Sequence, residues 1–235
     1  MFYKNMADVY HHIFPAKDKT DFLALQFKQG GYLLDVGCSD GRVAYEMTKK
    51  GFSLEAIDLS EDMIRIASEI SDMGSLFHVK LMDMKQAASC FENNTFDGIY
   101  CIGNTLVHLS DKNEILSALK GFKDLLKKDG KLIIQIINYD YVYRNNIQSL
   151  PLIENETVRF ERFYTLHDNS VTFKTKLSIK TTESMYEAET TLLALRKEDL
   201  ESLLRQSGFT GFSWYSNYKG DPFTDDGLPL IVAAE

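Results

Sequence analysis

The stretch YLLDVGCSDGR, residues 32–42, constrains this chain more than any other. An apolar run ends in Asp35, a turn containing Gly37 and Gly41 follows, and a helical pattern begins at Arg42. Glycines in such a turn let backbone come close to a ligand, and the helix start presents N–H groups with no partner in the chain. The next apolar run, LEAID (54–58), ends in Asp58, where a carboxylate can accept hydrogen bonds from ribose hydroxyls in a doubly wound sheet. Acids at consecutive strand ends beside a glycine turn describe a nucleotide-type ligand site.

The alternation continues along the chain. Residues 1–29 read as helical with a break at Pro15. Strands are expected at 32–36, 54–58, 76–83, 96–103 and 131–138. Helices are expected between them at 42–50, stopped by Gly51, at 60–70, capped by Ser60, and at 112–128, ended by Asp129 and Gly130. Strands joined by crossover helices make parallel βαβ units. The pattern then switches to period two at 157–166, 171–180 and 185–193, with a turn at His167 to Ser170. On the middle segment Val171, Phe173, Thr175, Leu177 and Ile179 share one face, which predicts a half-exposed antiparallel sheet. A helix at 196–207 and strands at 209–216 and 228–235 complete the chain. The expected fold is α/β: a doubly wound, mostly parallel core at 1–138 and 194–235, the N-terminal helices forming a lid, and a small antiparallel β insertion at 139–193 facing the substrate.

Charge and cysteine usage narrow the function. The net charge of −8 argues against broad, sequence-independent nucleic-acid binding, which needs a positive surface. No signal-peptide h-region opens the sequence, and no apolar run approaches the ~20 residues of a membrane span. Cys38, Cys90 and Cys101 are odd in number and lack a paired metal spacing, so no metal site is expected and a reducing, cytoplasmic setting is.

The residues 35–41, read as Asp35-Val36-Gly37-Cys38-Ser39-Asp40-Gly41, resemble the first motif of class I S-adenosylmethionine-dependent methyltransferases, with Ser39 in place of the middle glycine. The resemblance covers about 30–138, and 196–235 by element order. It implies a seven-stranded sheet of order 3-2-1-4-5-7-6 with an antiparallel last strand, and S-adenosylmethionine as cofactor. It further implies that Gly37 and Gly41 admit the methionyl end and that Asp35 lies under the ligand's amino group. Asp58 would hold the ribose, Leu59 and Met63 would pack on the adenine, and Asp83 with the Met84 N–H would meet the adenine edge. Cys38, Ser39, Cys101 and Gly103 complete the implied cofactor set. A dinucleotide-binding dehydrogenase would need G-x-G-x-x-G spacing, which GCSDGR lacks, and Asp35 would face phosphate unfavourably.

The expected activity is direct displacement of a methyl group onto a nitrogen or oxygen of a small molecule, by a monomer or homodimer without nucleic-acid or membrane partners. No Asn-Pro-Pro-Tyr-type motif follows the fourth strand; Ile102-Gly103-Asn104 stands there. The insertion resembles the substrate lids of glycine, sarcosine and sugar-amine N-methyltransferases. RNA or protein methylation, or cofactor binding without catalysis, remain the alternatives. Catalytic candidates are His108, Asn104 and Tyr10, and the wider set of acceptor-site candidates adds Tyr3, His11, His12, Tyr139, Arg159, Tyr164, Tyr215 and Tyr218. The polar loop 215–227 is a further candidate for the rim of the pocket.

Overall fold

Apolar runs that must be buried on both faces build the centre of the protein. Strands β1 (Tyr32–Val36), β2 (Ser53–Asp58), β3 (Phe77–Leu81), β4 (Phe96–Cys101) and β5 (Leu126–Ile137) pair in parallel, and β4 and β1 are buried along almost their whole length. This computed structural model describes residues 6–72 and 76–235. Two strands from the chain's end, β10 (Phe212–Tyr215) and β11 (Pro229–Ala234), join as a hairpin, with β11 antiparallel to both β10 and β5. The sheet order is β3-β2-β1-β4-β5-β11-β10. It is the expected order, with β11 and β10 as its seventh and sixth strands.

Helices α1 (Tyr10–Ile13), α2 (Lys17–Gln26), α3 (Arg42–Lys49), α4 (Glu61–Ser71) and α5 (Ala87–Cys90) precede α6 (Lys112–Leu125). The Ser60 hydroxyl caps α4 by accepting from the Met63 N–H at 3.5 Å, as the sequence predicts. Helix α6 ends three residues before the expected stop. Leu126 leaves it to pair with Phe96, and the register then shifts to Gly98 opposite Lys131, so Asp129 and Gly130 lie in an irregular stretch of β5. The Lys127 ammonium pairs with Asp97 at 2.8 Å.

Between β5 and α8 (Lys197–Gln206) the chain forms a second sheet of four antiparallel strands: β6 (Ile153–Glu154), β7 (Val158–Leu166), β8 (Ser170–Ile179) and β9 (Ser184–Leu193). Two pieces of this region escape the period-two reading. A short helix α7 (Tyr139–Arg144) starts where Asn138 caps the Tyr141 N–H, and β6 is too short to show alternation. The N-terminal segment packs against this sheet. Met6, Ala7, Val9 and Ile13 share an apolar cluster with Val158, Phe160 and Leu177, and also with Met63 of α4. The cluster ties N-terminus, inserted sheet and core together over the carboxyl ends of the parallel strands, the place where ligands bind in open α/β sheets.

Candidate active site

The strand ends are laced together before any ligand is considered. The Gly37 and Cys38 N–H groups both donate to the Ile57 carbonyl, at 2.8 and 3.0 Å, and the Met82 N–H donates to the Asp58 carbonyl at 2.9 Å. The Asp58 carboxylate bridges two loops: Oδ2 accepts from the Ser39 N–H and Oδ1 from the Ser60 N–H, both at 2.9 Å. Burial raises its pKa, and those two N–H groups oppose the rise. Each oxygen keeps a lone pair for a further donor. Ser39 occupies its place at φ +52°, the left-handed backbone that the replaced glycine would favour. Its hydroxyl hydrogen-bonds the Tyr10 phenol, which burial holds well above its usual pKa.

A cavity of about 380 Å³ opens above these ends. Of the residues expected to bind the cofactor, Gly37, Ser39, Asp58, Leu59, Met63, Asp83, Met84 and Gly103 line it. Leu59 is exposed, Met63 is buried, and Asp83 also caps the turn after β3 by accepting from the Lys85 N–H at 2.9 Å. Sequence reading missed Ile57, Ser60, Met82, Lys85, Thr105, Leu109, Ser110 and Glu114 on the same wall. Glu114 had the clearest signal: it stands three residues after Asp111, at the start of α6, and accepts from both the N–H and the hydroxyl of Ser110. Those bonds and Lys85 hold its pKa down at about 2.

Four expected cofactor residues lie behind the wall rather than on it. The Cys38 and Cys101 side chains are buried in the core and burial pushes both thiols up. Gly41 serves packing: a Cβ there would sit 2.8 Å from the Ala67 Cβ, so glycine lets α3 begin close against α4. Gly37 lines the cavity, yet a Cβ on it would collide with the Thr105 side chain. Gly103 differs from both. Its φ of +77° favours glycine, and an added Cβ would meet no protein atom within 4 Å. Asp35, next to last in β1, is buried, and burial pushes its carboxyl up to about 8, against the nearby Tyr100 hydroxyl and the field of Lys19. One carboxylate oxygen, Oδ2, is buried without a hydrogen bond of good geometry. Lys19, unremarked in the sequence, feels both Asp35 and Asp40.

A second chamber of about 170 Å³ adjoins the first, and the two share Tyr10, Gly103 and His108. Phe14, Phe160, Tyr164 and Phe173 supply its aromatic walls, with Lys19, Gln135 and Arg162 among its polar groups. His108 is drawn down from the usual imidazole pKa by burial and is neutral at pH 7. Asn104 lines the chamber, but its amide is committed: Oδ1 accepts from the Ile137 N–H at 2.9 Å and Nδ2 donates to the Tyr139 hydroxyl at 3.1 Å. Asn104 therefore holds the β4 end to the β5 end. Tyr139 is buried beneath it and lines neither cavity.

The remaining candidates scatter. Arg159 borders an open groove of about 890 Å³, which shares Leu150 and Arg162 with the second chamber, and is paired with Glu154 and Glu161 at 2.9 and 3.2 Å. His11 and His12 stack on each other at 4.0 Å and line neither cavity. Tyr215 and Tyr218 pack edge-on against Phe22. The Tyr218 hydroxyl also donates to Gln135 Oε1 at 3.1 Å, the oxygen that accepts from the Gly103 N–H at 2.8 Å, so it steadies the junction from outside. From loop 215–227, Gly227 borders the open groove and no residue lines either cavity. Tyr3 lies outside the described residues.

A strand-end cavity laced by two acids, with a second chamber meeting it at one glycine, is the arrangement of a group-transfer enzyme of the methyltransferase fold. The chain belongs to the methyltransferase domain family, whose profile matches residues 10–213. It is 24% identical over 216 residues to the glycine/sarcosine N-methyltransferase of Aphanothece halophytica, covering 90% of this chain and 79% of that protein. The chain spans about half the length of other curated relatives, 56% of one from Bacillus subtilis and 47% of the rabbit (Oryctolagus cuniculus) glycine N-methyltransferase. In fold it is similar to the CcbJ methyltransferase of Streptomyces caelestis, with a TM-score of 0.84 at 15% identity, covering 100% of this chain and 98% of that one. A second solved structure, an S-adenosylmethionine-dependent methyltransferase from Clostridium acetobutylicum ATCC 824, gives 0.79 at 18% identity over 99% and 98%. Among the described residues no helix is long and apolar enough to cross a membrane.

Proposed function

We propose that the chain is an S-adenosylmethionine-dependent methyltransferase that acts on a nitrogen or oxygen of a small molecule. The observation that carries this reading is the meeting of two cavities at Tyr10, Gly103 and His108, one of them bordered by the laced acids. The relatives are methyltransferases by name, and one of them is named for glycine and sarcosine. When bound, the cofactor supplies an electrophilic methyl group on a sulfonium.

The residues fit such a cofactor. Asp58 retains acceptor capacity for ribose hydroxyls after satisfying its two loop N–H groups. Leu59, Met63 and Met82 offer apolar surface to a flat base, with Asp83 and Met84 at its edge. Asp35, behind the cavity wall, and Lys19, on the adjoining chamber, are an acid and a base in each other's field, and act through that field on the ammonium and carboxylate of a methionyl end. Gly103 leaves the junction open. Neutral His108 accepts a proton from the acceptor, a role a hydroxyl needs more than a neutral amine does.

In domain terms, residues 1–138 and 194–235 form the cofactor core, and 139–193 form the substrate-facing part. The free thiols of Cys38, Cys90 and Cys101 support a cytoplasmic location. The experiment is release of S-adenosylhomocysteine from the wild-type protein, with small amines and hydroxy compounds offered beside RNA and peptide acceptors. Turnover with a small molecule is expected. Turnover confined to RNA or peptide would overturn the reading.

A further inference from the structure

Ion pairing sets one arginine apart from the rest. Arg42, Arg65, Arg144, Arg159, Arg196 and Arg205 each face a carboxylate, at 2.7 to 3.4 Å. Arg162, the seventh, has no carboxylate partner among the described residues, and the eight undescribed residues contain no Asp or Glu. It is nonetheless partly drawn out of water, its Nη2 side facing the open groove. Its position on β7 is half-buried, and its Nε is buried without a hydrogen bond. Nη2 donates to the Pro151 carbonyl at 2.7 Å, and the guanidinium lies 5.7 Å from the Phe160 ring. A partly desolvated cation without a counter-ion carries a cost, and the unmatched buried Nε adds to it.

The chamber does not supply the missing charge, and Glu161, on the open groove that Arg162 also borders, is held by Arg159 at 3.2 Å. No Asp or Glu lines the 170 Å³ chamber. Its other cation, Lys19, stands in the field of Asp40 and is the group assigned above to the methionyl carboxylate. The cofactor cavity shows the opposite balance, with Asp58, Asp83 and Glu114 on its wall. Arg162 and Leu150 also border the open groove, whereas Tyr10, Gly103 and His108 border the cofactor cavity. The chamber thus runs from an unpaired guanidinium to the junction where methyl transfer is placed.

We propose that the methyl acceptor carries a carboxylate and that Arg162 is its anchor, a specificity residue that presents the acceptor's amine or hydroxyl to the junction. This rests on the reading of the chamber as the acceptor site. The planar guanidinium fork matches the two oxygens of a carboxylate. A phosphate dianion would bring a second charge for which the chamber holds no free cation.

Calorimetry on the protein saturated with S-adenosylhomocysteine tests it. Glycinate, 3-aminopropionate and 4-aminobutyrate are titrated, each beside its amide, with inorganic phosphate as a further ligand. At least one carboxylate is expected to bind about 10- to 100-fold tighter than its amide. Arg162→Gln should erase that preference, and Arg162→Lys should keep part of it. Amides that bind as well as the carboxylates, no carboxylate binding at all, phosphate binding tightest, or a preference that survives Arg162→Gln would each overturn the proposal. The wild-type comparison decides even where a variant does not fold. Failure of S-adenosylhomocysteine itself to bind overturns the cofactor reading instead.

Discussion

Two glycines in the same backbone conformation separate packing from function. Gly41 and Gly103 have φ of +76° and +77°. Alanine at either site meets the left-handed penalty of about 1–2 kcal/mol. At Gly41 the new methyl also lies 2.8 Å from the Ala67 Cβ and 3.1 Å from its Cα, in the crowded contact between α3 and α4. Overpacking of that kind costs about 1–3 kcal/mol more. For a chain of this length, ~2–4 °C of Tm accompanies each kcal/mol. Gly103→Ala should therefore lower Tm by about 4 °C, and Gly41→Ala by about 10 °C. Activity should invert the ranking. The Gly103 methyl enters space shared by both cavities, and displacing a reactant by about 1 Å costs on the order of 100-fold in rate. Thermal melts and kcat/KM for the acceptor found in the panel measure the two effects. Full activity in Gly103→Ala, or a Tm loss there as large as in Gly41→Ala, would refute the assignment of Gly103 to the junction.

Other outcomes follow from the buried charges. The Asp35 carboxyl, held at about 8, is mostly protonated at pH 7 and gives up its proton when a ligand ammonium arrives. Cofactor binding at pH 7 should release close to one proton and tighten between pH 6 and 8, read as a buffer-dependent binding enthalpy; no dependence on buffer would contradict it. The same shift acts on folding. The folded carboxyl keeps a proton that the unfolded chain loses near pH 4, so this group's stabilisation is complete below about pH 4 and is lost as pH rises through about 8. Asp35→Asn should flatten that loss, measured by denaturant midpoints from pH 5 to 9. With His108 held below the ordinary imidazole value, kcat/KM should stay level from pH 8 to about 6.5 and fall only below that. A midpoint above 7 would remove His108 as the proton acceptor.

Much of the fold was legible because parallel strands bury both faces and read as apolar runs, as in β1 and β4, while the inserted strands alternate along β9. The end of α6 was not, because Leu126 to Gly130 has helix-end composition and only the pairing of Leu126 with Phe96 draws it into β5. The acids were legible as strand-end residues, but their partners were not. Asp58 is held by N–H groups that carry no sequence signature, and Asn104 is committed to Ile137 and Tyr139 more than 30 residues away. Lys19 and Arg162 are ordinary charges in sequence. Their meaning comes from what lies near them, Asp35 and Asp40 for one and no carboxylate for the other.

The Asp58 carboxylate tests the cofactor site most directly. Isothermal titration of S-adenosylmethionine into the wild-type protein and into Asp58→Ala should show saturable one-to-one binding in the first and affinity about 10- to 100-fold weaker in the second, through lost charge-assisted hydrogen bonds. Absence of binding to the wild-type protein, or equal affinity in a folded Asp58→Ala variant, would contradict the site assigned to these strand ends.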